Sequence, residues 1–342
     1  MKGEATVASP FSDVKAYSSL NAHIKHHIVF GGERMNVLVT GGYGFIGSAV
    51  ARRFYEEGAT IFIIDNLCTG HLRNITFPHK SYLLNVEDEV CEHFFKEVTF
   101  DVVVHCAAQT SVQQSIQEPI KDILTNIVGL SQMLYLSSKY KVKHFVFASS
   151  AAVYGDSHYP PLEETDTSEP ISMYGLNKSI GETYCEKWRQ DYGLPTLIYR
   201  FANVYGPKQP VKGEAAVIPS LLKSSLEEQP FTVYGGGHQT RDFIYVDDIA
   251  DAIFAGVEVG LQGTFNVATN EAWSIQQVIL LLQHLNYPLE VQYAPAREGD
   301  IEHSFLCNEK LANAIGWKPR ISLTEGIQLT IEAMQNEKIV EI

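Results

Sequence analysis

The chain has 342 residues, 45% of them hydrophobic, and a formal net charge of −14. That length supports one large α/β domain or two smaller ones, and the acidic balance argues against non-specific binding to nucleic acid or an anionic membrane surface. The five cysteines are scattered with no C-x-x-C pair, which argues against zinc and a disulfide framework and suits a reducing cytoplasm, and no apolar run approaches membrane-spanning length.

Residues 1–34 lack the basic start and long apolar stretch of a signal peptide. Met35 immediately precedes the first apolar run, so the core fold is expected to begin near it. The leader then reads as an accessory arm or an upstream start, with no role assigned. Residues 35–47 run M-N-V-L-V-T-G-G-Y-G-F-I-G: a short strand, a glycine cluster, then a helical pattern from Ser48. Gly41, Gly44 and Gly47 are spaced G-x-x-G-x-x-G in the strand–turn–helix context of a dinucleotide site. The helix start would then face the pyrophosphate with its free N–H groups and dipole.

A second strand over 60–65 ends in Asp65, 18 residues after Gly47. An acid there accepts hydrogen bonds from the adenosine ribose and repels a 2′-phosphate, which predicts NAD rather than NADP. Further strands are predicted at 81–84, 101–108, 144–150 and 195–203. One long helix is expected after Pro119 and another over 172–191. The alternation predicts an α/β fold of Rossmann type, with a doubly wound parallel sheet. From about Gly206 the pattern loosens into short mixed segments: helical at 215–226, from 248 and at 274–285, extended at 231–234, 242–246 and 289–293. The expected division is therefore a 35–205 NAD-binding domain and a smaller mixed α/β substrate-binding region over 206–342, some of whose segments return to the sheet.

Tyr174 and Lys178 form Y-x-x-x-K, which places both on one helix face. A phenol has a pKa near ~10. A neighbouring ammonium is expected to lower it, letting Tyr174 take a proton from a sugar hydroxyl while hydride leaves the same carbon. Ser150 lies 24 residues earlier, at the carboxyl end of a strand, where such sheets bind ligands. Its hydroxyl suits sharing the proton. Tyr154 nearby reads equally as packing.

These motifs occur together with I-D-N-L, H-C-A-A-Q, S-S-A-A-V-Y-G, R-F-A-N-V-Y-G-P, R-D-F-I-Y-V-D-D and A-R-E-G-D. In that combination the chain resembles, from about Asn36 to Ile331, the extended short-chain dehydrogenases of the nucleotide-sugar epimerase/dehydratase family, above all UDP-glucose and UDP-N-acetylglucosamine 4-epimerases. The resemblance implies that Ser150, Tyr174 and Lys178 would be catalytic. Phe45 and Ile46 would meet the pyrophosphate through their backbones. Asp65 and Asn66 would hold the adenosine ribose, and Asn85, Val86, Ala107, Ala108 and Asn126 would line the cofactor. Asn203, Arg241 and Arg297 would hold the substrate diphosphate, Val217 the uracil end and Asp300 the uridine ribose. A homodimer through helices near 119–141 and 172–191 would follow. Asn85 departs from the aspartate usual after the third strand, and Thr110 from a lysine found in some galactose epimerases.

Related dehydratases carry Thr-Asp-Glu where this chain has Ser150-Ala151-Ala152, and related decarboxylases a glutamate. Alanines transfer no protons, so the expected reaction is C4 epimerisation of a UDP-hexose through a 4-keto sugar, with NAD retained. UDP-glucuronate epimerisation, dehydration or decarboxylation are the alternatives, and a non-catalytic NAD-binding regulator has no need of the three residues. By the resemblance, a residue counted from Arg297 lines the sugar pocket of this family and, when bulky, excludes N-acetyl sugars; here it is the small Ser304, which implies tolerance of UDP-N-acetylglucosamine as well as UDP-glucose.

Overall fold

The computed structural model describes residues 29–30, 33–156, 160–211, 216–296 and 301–340. Seven strands form one sheet: β1 (Asn36–Thr40), β2 (Thr60–Asp65), β3 (Lys80–Leu83), β4 (Val102–His105), β5 (His144–Ser150), β6 (Thr196–Phe201) and β7 (Gly263–Val267). Their order is β7-β6-β5-β4-β1-β2-β3, and every pairing is parallel. The apolar runs explain this. Val37 and Val39 enter the core on one face with Ile61, Ile63, Val102 and Val104, while Leu38 enters the other with Phe62, Ile64 and Val103. Alternation at period two therefore feeds two separate cores, and both faces need helices over them.

One face is covered by helices Phe45–Glu56 and Val246–Glu258, whose Phe54 and Phe254 meet edge to face at 5.4 Å. The other is covered by Leu130–Lys139 and Met173–Tyr192, which contribute Leu130, Met133, Leu134 and Cys185. The order reverses between β1 and β4, so their carboxyl ends open a crevice at the switch point of the sheet.

The strand over 144–150 coincides with its sequence prediction. The single helix expected after Pro119 is instead three pieces: Pro119–Ile123, a π turn over Leu124–Gly129, and Leu130–Lys139. The extra residue of a π turn re-aims side chains, and it is here that Asn126 turns inward to 4% exposure. β7 comes from beyond position 206 and continues the sheet past β6.

A third core lies outside the sheet, built from Ile218, Leu221, Leu222, Val278, Leu282 and Ile327. Small sheets frame it. Asn203–Tyr205 pairs in parallel with Phe243–Tyr245, and Thr240–Arg241 lies between Trp273–Ser274 and His303–Ser304. Most of the 1–34 leader lies outside the described residues.

Candidate active site

At the end of β1 the chain turns through Gly41–Gly44 into helix Phe45–Glu56. Gly44 is the N-cap; no side chain caps the helix and no acid sits in its first turn. The N–H groups and positive dipole end are therefore left to an external anion. A Cβ at Gly47 would lie 2.1 Å from the Gly41 carbonyl oxygen, so only glycine lets the helix ride this close to the turn.

Asp65 ends β2 at 6% exposure. Its Oδ2 accepts from the Tyr43 N–H at 2.9 Å and its Oδ1 from the Leu67 N–H at 2.7 Å, which pins the glycine turn to the strand end. A carboxylate has about four acceptor positions, so room remains for ribose hydroxyls. Asn66 donates to the Asn85 side-chain oxygen at 3.0 Å, and both residues are exposed. Val86 is buried beside them. Ala107 and Ala108 follow β4; the Ala107 N–H donates to Thr40 Oγ1 at 3.2 Å, and that hydroxyl also bonds His105 Nδ1 at 2.9 Å. An uncapped helix start, a carboxylate with spare acceptors and this small-residue loop suit a dinucleotide laid across the switch point.

Helix Met173–Tyr192 starts at Ser172, whose side chain accepts from the Gly175 N–H at 3.0 Å. Tyr174 and Lys178 share its inward face. The Lys178 ammonium lies 5.8 Å from the Tyr174 ring and 4.9 Å from that of Phe147, and it donates to the Ala148 carbonyl at 2.7 Å. Ser150 Oγ accepts from the Ala152 N–H at 3.2 Å, and its hydroxyl lies near enough to the Tyr174 phenol to pull that group's pKa down. Three residues predicted from distant motifs thus meet at the carboxyl end of β5.

Their electrostatics differ from the sequence expectation. Burial pushes Tyr174 up to about 12; the Ser150 hydroxyl pulls against this and Asp122 adds to it. Burial pulls Lys178 down to about 8, opposed by Cys106, Asp122, Cys185 and Glu182. Desolvation thus sets the direction of both shifts.

Asn126, expected to line the cofactor, also holds the neighbouring loop. It accepts from the Gln109 N–H at 3.0 Å and donates to the Gln109 carbonyl at 2.9 Å and to Asp122 at 3.0 Å. It shapes the loop behind the crevice. Tyr154 is a packing residue: it is 2% exposed, donates to Asn266 at 2.7 Å and lies under the Arg200 guanidinium at 4.7 Å.

On the substrate side, Asn203 opens its short strand and donates its N–H to the Asp242 carbonyl at 2.8 Å. Arg241 and Ser304 are register partners, so a cation and a small hydroxyl stand side by side. Val217 is the first residue of helix Val217–Leu226. Arg297 and Asp300 lie outside the described residues.

Sequence reasoning missed two buried acids. Glu182 is ion-paired with Arg200 at 2.7 Å and accepts from the Ser149 hydroxyl, which ties the helix of Tyr174 to β5 and β6. Asp122 gathers three amides from separate segments. The signals were faint: Glu182 lies four residues after Lys178, and Asp122 four before Asn126.

A switch-point crevice with a serine, a tyrosine and a lysine converging on it defines a dinucleotide-dependent fold of the extended short-chain dehydrogenase type. Sequence comparison narrows this: the chain belongs to the NAD dependent epimerase/dehydratase family, which it matches over residues 37–268. It is 36% identical over 302 residues to the putative UDP-glucose 4-epimerase of Methanocaldococcus jannaschii, covering 88% of this chain and 98% of that one. The crystal structure of UDP-glucose 4-epimerase from Thermotoga maritima with UDP-glucose superposes with a TM-score of 0.85 at 38% identity, over 89% of this chain and 100% of the other. UDP-N-acetylglucosamine 4-epimerase from Methanobrevibacter ruminantium, in complex with UDP-N-acetylmuramic acid, matches with a TM-score of 0.85 at 32% identity, over 89% and 99%.

Proposed function

We propose that the protein is an NAD-dependent 4-epimerase of UDP-hexoses, acting on UDP-glucose/UDP-galactose and on the N-acetylated pair. The observation that carries this reading is the meeting of Ser150 and Tyr174 at the end of β5, with Lys178 on the same helix face as Tyr174 and Ala151-Ala152 next after Ser150 in the chain. NAD, when bound, supplies the hydride acceptor and a positive charge beside Tyr174. Everything else belongs to side chains of this protein. Tyr174 Oη takes the proton of the sugar C4 hydroxyl and later returns it, with Ser150 Oγ bonding the same oxygen. Lys178 spends one of its three donors on the Ala148 carbonyl and keeps two for the cofactor ribose and the phenolate.

In this reading Arg241 and Arg297 hold the diphosphate with Asn203, since guanidinium forks match phosphate oxygens. Val217 faces uracil, Asp300 the uridine ribose, and Ser304 leaves space at the sugar for an acetamido group. Gly41, Gly44, Phe45, Ile46 and Gly47 hold the pyrophosphate, with Asp65 and Asn66 on the ribose. Ala151 and Ala152 disfavour dehydration and decarboxylation, which need proton-transferring groups there. The 35–205 segment is the main cofactor unit and 206–342 mainly the substrate unit.

The same reading includes a homodimer. Ile116 (65% exposed), Ile120 (69%), Leu124 and Val128 (both 42%) and Tyr135 (49%) lie along the helical run after Ser111, and Leu176 (40%) lies on the neighbouring helix. Such a row suits a second copy of the chain. Among the described residues no helix is long and apolar enough to cross a membrane, and we place the enzyme in the cytoplasm on its reduced cysteines and sugar-nucleotide substrate. Tyr174→Phe tests the proposal: turnover of UDP-glucose is lost while bound NAD is retained, and normal turnover by that variant contradicts it.

A further inference from the structure

Asp122 has no role in the mechanism above, yet it is fully buried. A buried carboxylate is costly unless its lone pairs are satisfied. Here side-chain amides satisfy them. Gln109 Nε2 donates to Oδ1 at 2.7 Å and Asn126 Nδ2 to the same oxygen at 3.0 Å, while Asn177 Nδ2 donates to Oδ2. The three donors come from the loop after β4, the π turn and the helix of Tyr174. Asn177 sits between Tyr174 and Lys178 in the chain. The loop that carries Ala107 and Ala108 and the helix that carries the proposed base thus hang on one carboxylate.

Amides satisfy a carboxylate without cancelling its charge. Several groups bear on Lys178: His105 and Cys106 from β4 and its loop, Cys185 and Glu182 from its own helix, and Asp122. Burial keeps His105 neutral at about 3 and pushes the Cys106 thiol up to about 12 and Cys185 well up, so all three are uncharged near neutral pH. Glu182 is paired with Arg200. Within this group Asp122 is the acid held by amide donors alone. Tyr174 is faced by Ser150 and by the same Asp122.

We propose that Asp122 is a positioning residue: through its three amide partners it locks the Tyr174–Lys178 face of the helix to the loop after β4. Its effect on turnover rests on the epimerase reading; its effect on Lys178 does not. The test is NMR of the full chain labelled with [13Cε]lysine, with the Lys178 resonance assigned by Lys178→Met and followed from below neutral pH to alkaline pH. In the parent, Lys178 titrates near 8. In Asp122→Asn the midpoint falls by about one unit, and kcat for the UDP-sugar falls about tenfold or more with KM little changed. A midpoint that stays or rises overturns the proposal, as does an unchanged kcat in a protein whose parent epimerises. If the parent does not epimerise, the functional reading fails and the titration alone judges Asp122. If Asp122→Asn does not fold, Asn177→Ala cuts the tie to the helix and leaves the other two amides; kcat falls with KM retained, and an unchanged kcat overturns the proposal.

Discussion

Gly175→Ala is the perturbation in which packing and activity separate most clearly. Gly175 follows Tyr174, and a Cβ there would lie 2.4 Å from the Ala152 carbonyl oxygen and 3.1 Å from Pro170 Cβ. Ordinary contact begins near 3.4 Å, so the first turn of the helix must retreat from the Ala151–Tyr154 turn by about 1 Å. That turn follows Ser150 directly, so the retreat moves Tyr174 away from Ser150. A displacement of this size costs about 100-fold in rate when it separates reacting groups. Stability moves less. Alanine favours the helix by roughly 0.5–1 kcal/mol over glycine, against about 1–3 kcal/mol for overpacking. The net loss is at most roughly 2.5 kcal/mol, or several degrees in Tm. Steady-state kinetics beside thermal unfolding and NAD content therefore show kcat down about 100-fold in a folded, NAD-containing protein. A kcat within threefold of the parent (about 0.7 kcal/mol) refutes the claim that this close approach sets the catalytic geometry.

Three further outcomes follow from the geometry. Asp65→Asn removes the charge that holds the Tyr43 and Leu67 N–H groups and faces the ribose; NAD binding weakens by about 10–100-fold, and calorimetric affinity within twofold of the parent contradicts this. Burial pulls His105 down to about 3, below its unfolded value near ~6.5, so folding stability is full above that unfolded value and falls as pH drops toward the folded one. Urea titrations show a decline of at most about 1.4 kcal/mol per pH unit from this site, and an equally steep decline in His105→Gln assigns it elsewhere. Ile120→Glu places a charge in the exposed apolar row proposed as the dimer face and gives a monomer by ultracentrifugation; a variant that is dimeric moves the interface off this face.

Much of this site was legible because its signals are local. Gly41 to Gly47 declare a turn by spacing alone, Asp65 ends an apolar run, and Tyr174 and Lys178 share a helix face by their i, i+4 separation. The strand over 144–150 is a continuous apolar stretch, and burial on both faces of a parallel sheet is its natural use. The remainder depends on contacts distant in sequence. Asn126 and Gln109 are 17 residues apart and satisfy each other, so motif position gave no sign that Asn126 holds this loop. The π turn over Leu124–Gly129 breaks no composition rule and leaves no periodic trace. β7 begins with Gly263 and Thr264, and only its pairing with β6 marks it as part of the sheet. The direction of the Tyr174 shift was out of reach because spacing shows the ammonium but not the desolvation that opposes it.

The central claim is oxidation at C4 followed by return of the same hydride. It is tested by incubating the protein, without added NAD, with UDP-glucose carrying deuterium at C4, and locating the label in the product by NMR. The account predicts UDP-galactose with deuterium still on C4, and no product from Tyr174→Phe. Deuterium lost to water contradicts a retained hydride, and deuterium on C6 of a 4-keto-6-deoxy sugar shows dehydration instead.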